Sequence, residues 1–240
     1  MHAPLFHVKI CGVTSAADAR LVADAGADAV GLNFVAGSPR RLELDAARQV
    51  AAAVPRGVLK VGVFAGASPD DIRRTVEAVG LDAVQLHGHL FAAGAAAVDP
   101  PELCAALVGI PVIRAVRLDA AGPDALAAAR RWLALAAAAG APPAMALVDA
   151  AVPSGTAAGQ LGGTGAVADW DRVRAASPLP VPLAVAGGLT ADNVAAAIAA
   201  SGCRAVDTAS GVEAAPGVKD PARVRAFVAA ARGALGPPGR

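Results

Sequence analysis

The chain has no tyrosine, and aromatic residues make up only 3% of its 240 residues, so its core is left to aliphatic side chains and alanine. A hydrophobic content of 55% is ample for that. Charge of one sign is also lacking. The formal net charge is +1, with acids and bases interspersed, which argues against a nucleic-acid face. No uninterrupted apolar run is long enough to span a bilayer, so no membrane partner is expected. The first residues lack the charged region and long apolar stretch of a secretion signal. Cys11, Cys104 and Cys203 are far apart and odd in number. That speaks against a disulfide framework and for a reducing cytoplasm. No CxxC or HxxxH spacing suggests a metal site. Lysine is scarce as well: of Lys9, Lys60 and Lys219, only Lys9 is expected near a functional mouth.

What is present is alternation. Short apolar runs at 6–12, 28–34, 58–65, 82–87, 111–118, 144–149, 181–187 and 204–210 read as strands. Helical stretches are expected near 15–25, 43–53, 69–79, 91–108, 122–139, 169–176, 190–200 and 220–232. Eight strands alternating with eight helices predict an α/β protein with a parallel sheet. Near-continuous apolar strands fit burial on both faces. The length is close to that of a (β/α)8 TIM barrel, and an open doubly wound sheet would show the same alternation. Thr14 or Ser15, Ser68, Thr190 and Asp220 are candidate helix caps. Gly26, Gly80 and Gly202 each precede a strand and suit the left-handed turn that ends a helix. One domain is expected over 1–233, with a frayed tail at 234–240. Residues 150–165 have no periodicity and form a long loop of the kind that is usually functional or disordered.

Chemistry concentrates where the strands end. Cys11 closes the first strand, and strand alternation puts it on the same face as Lys9. A lone cysteine is ordinarily a small buried hydrophobe. A neighbouring cation favours the thiolate, although a salt bridge inside the sheet is at least as good a reading of Lys9. Thr14 is most simply a helix cap. Asp149 closes the sixth strand, and a carboxylate at a barrel mouth suits an acid or base, or only a turn. Gly187 and Gly188 follow the seventh strand, and Asp207, Ser210 and Gly211 belong to the end of the eighth. Glycine turns there let backbone amides approach a phosphate. Arg40 is suited to a bidentate grip on a carboxylate. Gln85 and His87 share a face at the end of the fourth strand, in structural or substrate-positioning roles.

Together, segments 8–14, 26–31, 38–40, 61–64, 84–88, 162–165, 186–189 and 210–213 resemble phosphoribosylanthranilate isomerases of tryptophan biosynthesis, in family order over nearly the whole chain. The resemblance implies a TIM barrel that needs no cofactor and rearranges N-(5-phosphoribosyl)anthranilate to 1-(2-carboxyphenylamino)-1-deoxyribulose 5-phosphate. It implies Asp149 as general acid and Cys11 as general base. Arg40 would hold the anthranilate carboxylate, with Gln85 and His87 beside the substrate. Gly187, Gly188, Ser210 and Gly211 would hold the phosphate, with Asp207 nearby. Gly162, Gly163, Thr164 and Gly165 would belong to a closing loop. The chain departs from the pattern at Ala166, Val167 and Ala168, at His89 and at Asn33. A histidine-pathway isomerase of related fold, which carries an aspartate where Cys11 stands, and a phosphate-binding barrel without chemistry are the competing readings. A small phosphorylated sugar substrate, a cytoplasmic location and a monomer or homodimer complete the expectation.

Overall fold

The computed structural model describes residues 3–90, 98–118, 124–149, 169–176 and 178–236. Eight strands form one closed barrel: β1 (Val8–Cys11), β2 (Ala29–Asn33), β3 (Leu59–Phe64), β4 (Ala83–Leu86), β5 (Val112–Arg117), β6 (Met145–Asp149), β7 (Leu183–Ala186) and β8 (Ala205–Thr208). Neighbours pair in parallel in chain order, and β8 returns to β1 with Lys9 opposite Asp207. This closure leaves the eight-stranded sheet without an edge and excludes the open doubly wound alternative. Each strand falls inside its expected window.

The helices α1 (Ala16–Asp24), α2 (Leu44–Ala52), α3 (Pro69–Val79), α4 (Glu102–Ala106), α5 (Ala127–Ala138), α6 (Trp170–Ala176), α7 (Val194–Ser201) and α8 (Pro221–Leu235) follow β1 to β8. Ser68 and Asp220 cap α3 and α8 as expected, accepting from Asp71 N and from Ala222 N and Arg223 N. Of the two candidates at the start of α1, Ser15 is the cap. One expected cap, Thr190, shifts. The α7 helix starts at Val194 after Asn193, whose Oδ1 accepts from Thr190 N at 2.8 Å. Gly80 and Gly202 take left-handed conformations as the C-caps of α3 and α7. Among the described residues the helix expected at 91–108 is only the five residues of α4; 91–97 lie outside them. The α8 helix runs to Leu235, two residues past the expected end of the domain.

Side-chain alternation divides the core in two. Small and medium residues such as Ala29, Val61, Ala83, Ile113, Leu147 and Ala184 fill the barrel interior, with Phe6 packed among them. Val8, Ile10, Val30, Leu32, Val84 and Val206 face outward against the helices. Burial on both faces is why these strands read as near-continuous apolar runs. The same parity carries Cys11, Asn33, Gln85 and Asp149 to the inner face at the strand ends, where all four line one cleft.

Two features lay outside expectation. A short antiparallel hairpin, β9 (Glu213–Ala215) and β10 (Val218–Lys219), follows a 3-10 turn at Ser210–Val212. Thr14 Oγ1 donates to Gly217 O in its turn at 2.5 Å, so Thr14 is a hairpin anchor rather than a cap. The second feature is a fully buried pair, Arg114 and Asp99. Arg114 donates to Leu86 O (2.8 Å) and Gly88 O (2.6 Å), while Asp99 accepts from Gly66 N (2.7 Å) and Gly88 N (2.5 Å). The pair thus stitches the loops after β3 and β4 together.

Candidate active site

One cleft at the C-terminal ends of the strands brings together Cys11, Arg40, Gln85, His87 and Asp149 with Gly187, Gly188, Asp207 and Ser210. This is the face on which barrel enzymes carry their chemistry. Gly162, Gly163, Thr164 and Gly165 lie outside the described residues, as do the rest of 150–168.

The thiol at Cys11 is set into the barrel by two glycines. At Gly31, opposite it on β2, a Cβ would sit 2.6 Å from Cys11 Sγ. At Gly12, with φ of 70°, a Cβ would overlap Arg40 Cδ. Both positions must lack a side chain, Gly31 to admit the thiol and Gly12 to admit the arginine. Beneath the thiol, Lys9 Nζ donates to Asp207 Oδ1 at 2.8 Å in a buried pair. Burial pushes the Cys11 thiol up, and Lys9 pulls it back only in part, opposed by Asp207 and joined by Lys219. Lys9 itself ends above its ordinary value. Burial works against that charge, but Asp207 and Cys11 outweigh it. Lys9 therefore moderates the thiol without fully ionising it, and its first partner is the salt bridge.

Lys219 also reaches this site, contrary to the expectation that only Lys9 would. Its Nζ donates to Cys11 O (2.6 Å), Glu213 Oε1 (2.9 Å) and Ala209 O (3.1 Å). Arg40 lies against Glu213 in a two-pronged pair, Nε to Oε1 at 2.8 Å and Nη2 to Oε2 at 2.7 Å. Burial acts to raise the Glu213 carboxyl, but bonds from Arg40 and Lys219 hold it below the usual range. The hydrogen bonds that Arg40 donates to Glu213 keep its guanidinium more basic than usual.

Gln85 Nε2 and His87 Nδ1 lie 3.2 Å apart. Burial, helped by Arg117, Lys9 and Arg114, pushes the His87 imidazole down to about 4, so it is neutral at physiological pH. Gln85 Oε1 is buried without a hydrogen-bond partner among the described residues. Asp149 ends β6 beside Arg117 in the sheet register and is close enough to push the Asp207 carboxyl upward. Burial is the larger cause of that upward shift.

The two glycine turns differ. Gly187 and Gly188 have φ of 94° and 63°, conformations that glycine adopts without strain. Gly211 does not line the cleft; a Cβ there would overlap Leu189 O. Its glycine lets the turns after β7 and β8 touch, with Thr208 Oγ1 bonding Leu189 O at 2.7 Å. Asp207 does line the cleft, but its carboxylate is committed to Lys9.

Sequence reasoning missed Lys219, Glu213, Arg117 and Asp99. Glu213 stood within a recognised segment with no role attached, and the other three carried no local motif.

Residues 8–230 match the family model described as N-(5'phosphoribosyl)anthranilate (PRA) isomerase. An N-(5'-phosphoribosyl)anthranilate isomerase of Myxococcus xanthus is 44% identical over 225 residues, covering 94% of this chain and 95% of that protein. One of Acidithiobacillus ferrooxidans is 40% identical, covering 96% and 99%. The solved enzyme of Thermotoga maritima superposes with a TM-score of 0.76 at 32% identity, covering 95% and 99%. A further solved phosphoribosyl anthranilate isomerase has a TM-score of 0.73 at 31% identity, with the same coverage. It was crystallised with reduced 1-(o-carboxyphenylamino)-1-deoxyribulose 5-phosphate. Another structure concerns monomers generated from the dimeric Thermotoga maritima enzyme. A barrel matched this completely, in model, sequence and superposition alike, belongs to the N-(5'-phosphoribosyl)anthranilate isomerase family.

Proposed function

We propose that this enzyme converts N-(5'-phosphoribosyl)anthranilate to 1-(2-carboxyphenylamino)-1-deoxyribulose 5-phosphate in tryptophan biosynthesis, with Asp149 as acid and Cys11 as base. One observation carries the assignment of roles. A thiol at the end of β1 and a carboxylate at the end of β6 line one cleft together with Arg40 and the turn at Gly187 and Gly188.

Asp149 delivers a proton to the ribose ring oxygen. The bond from that oxygen to C1 breaks, and the anilino nitrogen lone pair forms a C1=N iminium. With the iminium formed, Cys11 gives up its own proton to solvent, and the thiolate then takes the proton from C2. The released electron pair becomes the C1=C2 bond of an enolamine and neutralises the nitrogen. Protonation at C1 and loss of the C2 hydroxyl proton give the ketone. Proton transfers and one C–O cleavage, with the oxidation of C2 balanced by the reduction of C1, account for the whole conversion, so the reading calls for no cofactor. Lys9 and Lys219 favour the thiolate, and the iminium adds a third positive charge when the base is needed.

Arg40 would hold the anthranilate carboxylate with the guanidinium edge outside the Glu213 pair. Gln85 Oε1 would accept from a sugar hydroxyl, which supplies its missing partner. Neutral His87 would orient the Gln85 amide. The turns at Gly187, Gly188 and Ser210 would receive the phosphate, with Gly211 keeping them in contact. Asp207 is better placed as the counter-ion of Lys9 than beside a phosphate, since two anions repel. The segment holding Gly162, Gly163, Thr164 and Gly165 would close over the substrate. The enzyme would act in the cytoplasm as a monomer or homodimer.

Freshly generated N-(5'-phosphoribosyl)anthranilate tests this reading. Loss of anthranilate-type fluorescence is expected at a turnover of about 1 s⁻¹ or more. Loss no faster than in buffer overturns it.

A further inference from the structure

We propose that Glu213 is a positioning residue. It aims the Arg40 guanidinium at the substrate carboxylate and ties that grip, through Lys219, to the backbone of the base Cys11. This rests on the assignment of Arg40 as the carboxylate holder.

The argument begins with the flexibility of arginine. Arg40 sits in the loop after β2, and its stem crosses bare backbone at Gly12. A long side chain there fixes its planar head only where something grips it. Glu213 grips two of its nitrogens at 2.8 and 2.7 Å, leaving the Nη1 side outside the pair. The carboxylate that does this is itself immobile, with only 4% of its side chain exposed.

Lys219 supplies the anchor. Its three donors are spent on Glu213 Oε1, Cys11 O and Ala209 O. The ammonium therefore joins the end of β1, the end of β8 and the carboxylate that sets Arg40. Arg223 Nη1 holds Glu213 O at 2.5 Å, and Thr14 holds the hairpin turn at Gly217. The cluster of Arg40, Lys219 and Glu213 keeps one net positive charge, the sign a substrate carboxylate requires. The hairpin thus sets the distance between the carboxylate grip and the base through two hydrogen-bonded side chains.

The test compares N-(5'-phosphoribosyl)anthranilate with its descarboxy analogue, freshly made from aniline and ribose 5-phosphate. Glu213→Gln keeps the shape of the side chain and loses its charge. It should raise KM about tenfold for the carboxylated substrate, change kcat less than about threefold and leave KM for the analogue unmoved. Glu213→Asp should fall between it and the parent enzyme. The double variant Glu213→Leu/Lys219→Met removes both buried charges together and should show the same split, which covers a single variant that does not fold. Equal KM changes for both substrates, an unchanged KM, or a fall in kcat alone overturns the proposal. Arg40→Ala separates the two layers. If it discriminates between the substrates and Glu213→Gln does not, only the role of Glu213 falls. If Arg40→Ala does not discriminate either, the carboxylate assignment falls and this proposal with it.

Discussion

Lys9 and Asp207 meet across the seam that closes the barrel, Nζ to Oδ1 at 2.8 Å, directly below Cys11 and almost wholly out of solvent. The pair joins the first barrel strand to the eighth and supplies a cation on the thiol's own strand. Lys9→Met leaves Asp207 buried without its partner, which should cost about 3–5 kcal/mol. Lys9→Met/Asp207→Leu should recover most of that loss. Urea unfolding followed by circular dichroism measures both; equal stability of the single and double variants contradicts the pairing.

The shift of Cys11 has a definite sign. Its thiol lies above its ordinary value, so in the resting enzyme it keeps its proton at neutral pH. Alkylation by iodoacetamide, followed by peptide mass spectrometry, should accelerate about tenfold per pH unit from 7 to 9, as the thiolate fraction grows. A plateau below pH 8 would show a thiol ionised at rest.

His87 shifts the other way, to about 4. Protonation of its imidazole is opposed by burial and three nearby cations, so it stays neutral above pH 5. Its ring signals in an NMR titration should move near pH 4 and remain flat through 6.5. A midpoint near 6.5 would place the ring in water rather than among Arg117, Lys9 and Arg114.

Asp99 and Arg114 hold the strand end that carries His87. Asp99→Asn strands the buried Arg114 charge and weakens the bonds to Gly66 N and Gly88 N. A loss of about 3–5 kcal/mol is expected by chemical denaturation. Asp71→Asn, which breaks the exposed pair with Arg74, should cost far less. Equal losses would mean that burial does not set the value of the Asp99 pair.

The fold was legible where burial leaves a pattern. Strands covered on both faces are mostly apolar, and each ends where the chain meets the cleft, so Cys11 and Asp149 stood out as punctuation at the strand ends. Family order then joined them to Arg40 and the glycine turns. The hairpin was not legible, because strands of three and two residues are too short to show a period. Lys219 lies 208 residues from the Cys11 carbonyl it binds, and nothing local marks that contact. Asp99 likewise gains its role only when Arg114 on β5 folds against it. Thr14 looked like a cap because it precedes a helix, yet the hairpin competes for its hydroxyl and wins.

The central claim is that Cys11 and Asp149 divide the proton transfers between them. Single-turnover rates of Cys11→Ala and Asp149→Asn with freshly generated N-(5'-phosphoribosyl)anthranilate test it most directly. Each variant should keep the parent fold and lose about 10²- to 10⁴-fold in kcat, the usual contribution of a general acid or base. Near-parental kcat in both variants would contradict the assignment.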